Sequence, residues 1–255
     1  MEQTLFDKKE GSMLIQYLPW DSDFFGFRIG CYTKHTLSDA DEEIFLKEFD
    51  NQRYDCVYVF ADPRDETTKR VAARNQFLFV DERLIYYLPD IYLKCGVLQN
   101  DSYCLLNYSN TLAVERARHI VDEISFVSRF THDPRLCDKA REMYTIWFDQ
   151  IMNDPSGGVV VISEQQSGLP ATLVGCNTRN TVGELVLVGV DSRFRGRGLG
   201  VTVVQNAIVW LYEHGAKRIR VKTQASAKGA VYLYEKTGFV LEESKEIYHV
   251  WRKFQ

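Results

Sequence analysis

A short stretch in the C-terminal half of the chain combines glycine and arginine in a spacing suited to binding phosphate. An apolar segment, residues 184–190, leads into the loop Arg195-Gly196-Arg197-Gly198-Leu199-Gly200, which has glycine at three alternate positions. Glycine accepts positive φ and lets the backbone approach a ligand without an intervening Cβ. Successive N–H groups of such a loop, with a helix N-terminus behind them, attract phosphate oxygens. The pattern predicts a pyrophosphate site, to which Arg195 and Arg197 add formal positive charge.

Other phosphate-binding loops have different spacings. The dinucleotide fingerprint G-x-G-x-x-G opens a helix of a parallel βαβ unit that also carries an acidic ribose ligand. This loop reads G-x-G-x-G and follows an apparent antiparallel meander. No G-K-[ST] follows it, which excludes a Walker-type loop. A structural turn with an arginine-rich surface is the alternative that the loop alone leaves open.

The elements that must position this loop are visible in the pattern of the second half. Three apolar runs are separated by glycine-containing turns, which predicts an antiparallel meander with strands at 158–163, 171–177 and 184–190. After the loop, a helix at 198–213 ends at Gly215. Beyond it the sequence predicts a strand, a helix and a closing hairpin, at 218–223, 227–237 and 239–252.

The first half of the chain has a different order of elements, β-β-α-β-α-β. Its strands are predicted at 13–19, 28–34, 55–61 and 77–88, the last of which is a strand or a hairpin. Its helices are predicted at 39–51 and 65–76. The pattern weakens after residue 90, which places a boundary near Gln99-Asn100-Asp101. We therefore expect two domains, 1–100 and 101–255, the second opening with helices at 111–125 and 135–152.

Composition narrows the classes of protein to which the chain can belong. Hydrophobic residues make up 45% of its 255 residues, and 31 basic against 35 acidic residues give a net charge of −4. The overall charge lacks the basic excess of nucleic-acid-binding proteins, so no such partner is predicted. The six cysteines form no C-x-x-C pair, which predicts reduced thiols and no metal site. A polar N-terminus and no apolar run near ~20 residues predict a cytoplasmic protein without a membrane span.

Two motifs together resemble the GCN5-related N-acetyltransferase (GNAT) superfamily. The loop at 195–200 is similar to its signature R/Q-x-x-G-x-G/A, and residues 230–239 are similar to A-x-x-L-Y-x-x-x-G-F. The resemblance implies an α/β (α+β) fold with a central mixed, mostly antiparallel sheet, preceded by an incomplete GNAT-like N-terminal domain. It implies acetyl-CoA as co-substrate and no metal, with the main chain of Val188 and Val190 facing the pantetheine beside a β-bulge. The residues that it assigns to the pyrophosphate are Phe194, Arg195, Gly196, Arg197, Gly198, Leu199 and Gly200.

Direct acetyl transfer needs a neutral amine, a donor for the developing oxyanion and a proton for the departing thiolate. The resemblance gives Tyr234 the third role, because a phenol with a pKa near 10 can protonate a thiolate whose conjugate acid has a pKa of about 8–9. Tyr232 faces elsewhere on the helix, and a packed core aromatic is the alternative for Tyr234. Glu184 is a candidate general base, against its interpretation as an exposed carboxylate at a strand edge. Ala227 stands where the family often has asparagine, and Cys176 is disfavoured as an acyl-carrying nucleophile.

A finer resemblance, to the TDP-fucosamine acetyltransferase subfamily, points to an acceptor. The similar segments are residues 18–26, 128–134 and 220–224. The resemblance implies acetylation of the 4-amino group of a nucleotide-linked 4-amino-4,6-dideoxy sugar, with Gln224, Glu184 and Arg129 as candidate acceptor residues. Arg129 could bind a nucleotide phosphate, or form a surface salt bridge. The alternatives are another amine (a protein N-terminus, a polyamine or an aminoglycoside) or a non-catalytic acyl-CoA-binding module. A homodimer is also left open.

Overall fold

The computed structural model describes residues 13–91 and 103–252, which form two compact units. The first unit comprises residues 13–83, 132–136 and 244–252, and the second comprises the described residues of 84–131 and 137–243. The boundary expected near Gln99-Asn100-Asp101 lies outside the described residues. The division differs from a single cut between residues 100 and 101, because the end of the chain returns to the first unit, where it pairs with a strand.

The first unit is a small sheet with helices. Strand β1 pairs antiparallel with β2, β2 pairs parallel with β3, and the C-terminal part of β10 pairs antiparallel with β3. Strands β4 and β10 each contain a boundary between the two units. The elements are β1 (Ile15–Tyr17), α1 (Pro19–Phe25), β2 (Ile29–Tyr32), α2 (Asp39–Asn51), β3 (Cys56–Ala61), α3 (Glu66–Asn75), β4 (Leu78–Leu88) and β10 (Val240–Trp251).

Short-range signals in the sequence account for most of these elements. The Ser38 side chain accepts a hydrogen bond from Asp41 N and caps α2, and Asp65 caps α3 in the same way. The strand predicted at 13–19 is shorter than expected, because Pro19 occupies the first turn of α1, where its missing N–H costs nothing.

A buried carboxylate ties the returning segment 132–136 to β10. Asp133 Oδ2 lies 2.5 Å from His249 Nδ1 and accepts a hydrogen bond from Trp251 Nε1 at 2.8 Å. Burial by itself raises the pKa of Asp133, but the hydrogen bonds from His249, Trp251 and the backbone N–H of Arg135 outweigh it and leave the pKa below its ordinary value. The first unit is therefore held together partly by a satisfied polar contact in its interior.

The second unit contains the predicted meander. Strands β5 to β8 follow one another antiparallel, and β9 joins β8 in parallel. The elements are β5 (Cys104–Leu105), α4 (Thr111–Ile124), α5 (Cys137–Asn153), β6 (Gly157–Ser163), β7 (Pro170–Arg179), β8 (Val182–Val190), a 3₁₀ turn (Ser192–Phe194), α6 (Leu199–Glu213), β9 (Arg218–Gln224) and α7 (Lys228–Lys236). The meander and the helices predicted beside it are confirmed.

Two hydrophobic layers enclose this sheet. Helices α4 and α5 cover one face, where Ile120 and Ile151 pack with Leu173 and Leu187. Helix α6 covers the other face, in a core that also includes Leu185. Among the described residues, no helix is both long and apolar enough to cross a membrane.

The closing hairpin predicted at 239–252 is wrong. Residues 240–251 form one continuous strand, β10. The stretch between the two halves of that strand, Glu242-Glu243-Ser244-Lys245, contains neither the glycine nor the asparagine that a tight reversal requires.

Candidate active site

Strand β8 separates from its neighbour β9 part-way along its length. The register between them runs from Val182 opposite Arg218 to Leu185 opposite Val221, and β8 then continues to Val190. On its other side, β8 stays paired with β7 throughout, except for one bulge: Leu185 pairs with Cys176 and Leu187 with Gly175, which leaves Val186 as an additional residue. The bulge coincides with the point where β8 and β9 part. We call the gap beyond it the splay.

The alternation of hydrogen bonds decides which residues face the splay. Asp191 N donates to Ala171 O at 3.0 Å, so these two residues form a hydrogen-bonded pair. In an antiparallel ladder such pairs alternate with pairs whose N–H and C=O groups point away. Val188 and Val190 are of the second kind, and their backbone groups point toward β9, into the splay. That these groups contact pantetheine stays a prediction.

The glycine loop begins at the end of β8 and depends on positive φ at two of its glycines. Gly196 has φ +76° and Gly198 has φ +80°, and Gly198 is the N-cap of α6. A Cβ at either residue would meet no protein atom within 4 Å, so the loop is open on its outer side. Gly200 lies closer to its surroundings: its Cβ would be 3.5 Å from Leu233 of α7 and from Val190. The loop, the end of β8 and α7 therefore converge.

Tyr234 follows Leu233 on α7 and is almost completely buried, with 4% of its surface exposed. Its ring centroid lies 5.9 Å from that of Phe239 and 6.3 Å from that of Tyr86. Burial, with a smaller contribution from Tyr144, raises the pKa of Tyr234 above its ordinary value near 10. Tyr232 is 63% exposed, as its different helical face predicted. Tyr234 is therefore protonated at neutral pH and remains a candidate proton donor.

A comparison with protein families agrees with this geometry. Residues 123–239, which include the meander, the splay, the loop and α7, match the model described as "Acetyltransferase (GNAT) family". These residues, a little under half of the chain, are similar to that family, and we call them the GNAT segment. The resemblance that the two sequence motifs carried is confirmed at the level of the superfamily.

Known proteins resemble parts of the chain. A mycothiol acetyltransferase of Corynebacterium glutamicum is 38% identical over 26% of this chain, which is 22% of that protein. The spore coat polysaccharide biosynthesis protein SpsD of Bacillus subtilis is 27% identical over 49% of this chain and 43% of its own length. The chain thus spans less than half the length of these relatives.

Solved structures confirm the fold. The crystal structure of a GCN5-related N-acetyltransferase from Sphaerobacter thermophilus superposes with a TM-score of 0.55 at 14% sequence identity, covering 78% of this chain and 61% of that one. The predicted mixed α/β GNAT fold is therefore confirmed.

The position of Glu184 in the GNAT segment corrects the sequence-based interpretation. We expected an exposed carboxylate at a strand edge, but β8 lies between β7 and β9, and the Glu184 side chain is only 16% exposed. Its Oε1 lies 3.8 Å from Lys222 Nζ of β9. A strand that lies between two others has both of its edges covered. The alternation of residue types along β8 does not show that β8 is such a strand, so the sequence did not reveal the surroundings of Glu184. Glu184 is thus a partly buried group next to a cation.

The structure also contradicts one of the two interpretations of Arg129, which were a phosphate ligand and a surface salt bridge. A surface salt bridge is wrong for it, because the residue is buried, with its guanidinium 4.2 Å from the ring centroid of Phe130. Phe130 in turn lies edge-on to Trp147 of α5 at 6.5 Å. Gln224 lies at the end of β9, beyond the last register pair with β8. Gln224 and Glu184 share a sheet, whereas Arg129 belongs to the connection between α4 and α5.

Two further residues of the GNAT segment bear on the expected chemistry. Burial raises the pKa of the Cys176 thiol, so a thiolate nucleophile is disfavoured there. Ala227 is the N-cap residue of α7 and makes no side-chain capping bond. An asparagine at this position would cap the helix, whereas alanine leaves that role unfilled.

Helix α4 holds the first part of the loop through Glu123. Its carboxylate accepts hydrogen bonds from Ser192 N at 2.8 Å, from Ser192 Oγ at 2.7 Å and from an Arg195 guanidinium nitrogen at 2.8 Å. Arg195 Nε also donates to Val190 O at 2.9 Å. Arg195 was expected to add positive charge to the phosphate site, but its charge is largely balanced by Glu123. It acts as a clamp between β8, the loop and α4.

Asp191, the residue before Ser192, makes a second set of contacts that hold the loop. This carboxylate is completely buried, pairs with Arg116 of α4, and lies 3.2 Å from Arg193 Nε. It also accepts a hydrogen bond from Arg193 N and so caps the 3₁₀ turn. The sequence analysis missed these anchors. Arg116 and Glu123 are seven residues apart and so share a helical face, which was the available signal, but nothing local indicates which loop they contact.

We expect Glu123→Gln to raise the dissociation constant for coenzyme A about fivefold. The substitution keeps an acceptor for Ser192 but removes the charge that pairs with Arg195, a loss of ~1 kcal/mol. Isothermal titration calorimetry measures the change. Glu115→Gln, at an exposed position of the same helix, is the matched control and should bind as the unmodified protein does. Equal affinities for all three proteins would contradict an anchoring role for Glu123.

Proposed function

We propose that the protein is an N-acetyltransferase that moves an acetyl group from acetyl-CoA to an amine by direct attack. The observation that carries the proposal is the splay between β8 and β9, which opens beside a positive-φ glycine loop at the N-terminus of α6. A splayed strand offers unpaired backbone groups to an extended chain, and the adjoining loop offers N–H groups to a diphosphate. Both features suit one elongated ligand, a diphosphate joined to an amide-containing arm that ends in a thioester.

The residues of the chain would have the following roles in binding and acetyl transfer. The N–H groups from Phe194 to Gly200 hold the diphosphate, and the backbones of Val188 and Val190 orient the arm. Arg195 keeps the loop in place, and its pairing with Val190 O leaves the Val190 N–H as the group available to the ligand. An N–H directed at the thioester carbonyl would stabilise its developing negative charge by roughly 3–4 kcal/mol. Tyr234 supplies the proton for the sulfur atom that departs.

We assign the acceptor to the amino-sugar class, specifically a nucleotide-linked 4-amino-4,6-dideoxy sugar. Support comes from Thr223-Gln224 and from the segments 18–26 and 128–134, which resemble the TDP-fucosamine acetyltransferase subfamily. The similarity to SpsD, a spore coat polysaccharide biosynthesis protein, points the same way. The first unit would then be an incomplete GNAT-like domain. Buried Arg129, next to Phe130 and Trp147, is the proposed ligand for a nucleotide phosphate.

Acceptor-dependent release of thiol from acetyl-CoA tests the function. The purified protein is incubated with acetyl-CoA and one of four amines: an amino-sugar nucleotide, a polyamine, an aminoglycoside or a peptide with a free N-terminus. Mass spectrometry identifies the acetylated product. We expect release and a gain of one acetyl group with the amino-sugar nucleotide. Release with another amine alone would correct the acceptor, and no release with any amine would indicate a binding module.

A further inference from the structure

A strip of polar side chains crosses the sheet of the second unit beside the splay. The register places Asn177 of β7 opposite Glu184 of β8, and Glu184 opposite Arg220 of β9. Alternate residues of a strand share a face, so Lys222 and Gln224 lie on the same face as Arg220. Lys222 Nζ is 3.8 Å from Glu184 Oε1. We call Asn177, Glu184, Lys222 and Gln224 the polar strip.

The strip lies on the face of the sheet that α4 and α5 cover. Gly175, two residues before Asn177 and therefore on its face, is so close to α5 that a Cβ would be 2.7 Å from Ile151 Cδ1. Leu185 and Val221 point the other way, into the core that includes residues of α6. The strip is thus a polar stretch on a face whose neighbouring part is an apolar core, and polar residues in such a place need partners.

Two amide oxygens of the strip are buried without a hydrogen-bond partner among the residues that the structure describes. They are Asn177 Oδ1 and Gln224 Oε1. Buried polar atoms in folded proteins nearly always have partners, and each exception requires an explanation. A ligand hydroxyl suits both positions, because it donates to a carbonyl oxygen and can also accept from the NH₂ group of the same amide.

The charges of the strip disfavour other classes of ligand. Its one carboxylate lies against its one ammonium group, and Arg220 on the same face pairs with Glu242, so the formal charges there balance. A polyamine needs several carboxylates, and the strip offers one that already has a cation beside it. An anionic group would meet the carboxylate of Glu184 and two carbonyl oxygens, while both cations of this face, Lys222 and Arg220, already have a carboxylate beside them. A neutral, hydroxylated ring is the chemistry that remains.

We propose that the polar strip binds the ring of an amino-sugar acceptor through two hydroxyl groups, one at Asn177 and one at Gln224. This inference rests on the proposed function and deepens it: it names the part of the acceptor that is recognised and the residues that recognise it. Asn177 and Gln224 determine specificity, while the reacting amine lies at the splay. A ring amine without hydroxyls, or with only one, binds less tightly.

The test compares one amino sugar that has two free hydroxyls with its two singly deoxygenated analogues. Each is titrated in a calorimeter against protein saturated with coenzyme A, and each is also assayed for acetyl transfer. The proteins are the unmodified chain, Asn177→Leu, Gln224→Leu and the control Gln166→Leu, which changes an exposed glutamine in the turn between β6 and β7. We expect the unmodified chain and the control to prefer the full sugar about tenfold over either analogue.

Each variant of the strip should lose the preference for one hydroxyl and keep the other. A merely structural role would weaken binding of all three sugars equally, and that result would overturn the inference, as would an unmodified protein that does not distinguish the sugars. Because the unmodified chain is tested by itself, poor folding of a variant leaves the inference falsifiable. If no sugar is acetylated but the affinities follow the expected pattern, the proposed function fails and the recognition by the strip stands.

Discussion

Gly198→Val is expected to raise the dissociation constant for coenzyme A by at least about thirtyfold. Gly198 has φ +80° at the N-cap of α6, a conformation that costs an ordinary L-residue roughly 1–2 kcal/mol and a β-branched residue more. The free loop of the variant therefore relaxes to negative φ, and binding has to restore the strained form. A cost of ~2 kcal/mol corresponds to about thirtyfold in affinity. The added side chain would also project from the open side of the loop, where the diphosphate is expected.

Gly168→Val is the matched control for this substitution. Gly168 has φ +68° in the turn between β6 and β7, and its Cβ would likewise meet nothing within 4 Å. The two variants therefore introduce a similar backbone strain, but only one of them changes the loop. Calorimetric titration with coenzyme A should show normal affinity for Gly168→Val. If both variants bind coenzyme A as the unmodified protein does, the glycine loop is a structural turn and the proposed function loses its basis.

Tyr234→Phe is expected to lower kcat about a hundredfold while the affinity for coenzyme A stays unchanged. General acid catalysis contributes roughly 10²–10⁴-fold to rates, and phenylalanine removes the proton donor but keeps the ring. The ring packs with Tyr86 and Phe239, so the variant should fold normally. Since burial raises the pKa of Tyr234, its deprotonation should not limit the rate at neutral pH. Initial rates of thiol release, with calorimetry for affinity, measure the two effects separately.

The neighbouring tyrosine provides the comparison for Tyr234. Tyr232 is on the same helix but is 63% exposed, and Tyr232→Phe should leave kcat and affinity unchanged. A normal kcat in Tyr234→Phe would mean that Tyr234 is a packed core aromatic, and the departing thiolate would then leave without a proton from this residue. A loss of affinity together with kcat would instead indicate that its hydroxyl supports the binding site.

Several features of the fold and of the site could be predicted because they depend on residues close together in the chain. Ser38 caps α2 by accepting a hydrogen bond from Asp41 N three residues on, and two of the three glycines in the loop, Gly196 and Gly198, adopt positive φ. The meander follows from apolar runs separated by glycine turns. Helix and turn formation depends mainly on contacts within about four residues, which a single sequence displays directly.

The environment of the site was decided by contacts between residues far apart in the chain. Glu123 binds Ser192 across 69 positions, and that contact turns Arg195 from a free charge into a clamp. Glu184 is partly buried because two strands flank β8, and residues 240–251 form one strand whose C-terminal part pairs with β3. The spacing of residues along the chain does not show which elements contact each other in the folded protein. The amino-acid order alone thus determined where the loop lies and which of its residues could bind phosphate, while the tertiary structure decided what holds the loop in place and what lies beside the splay.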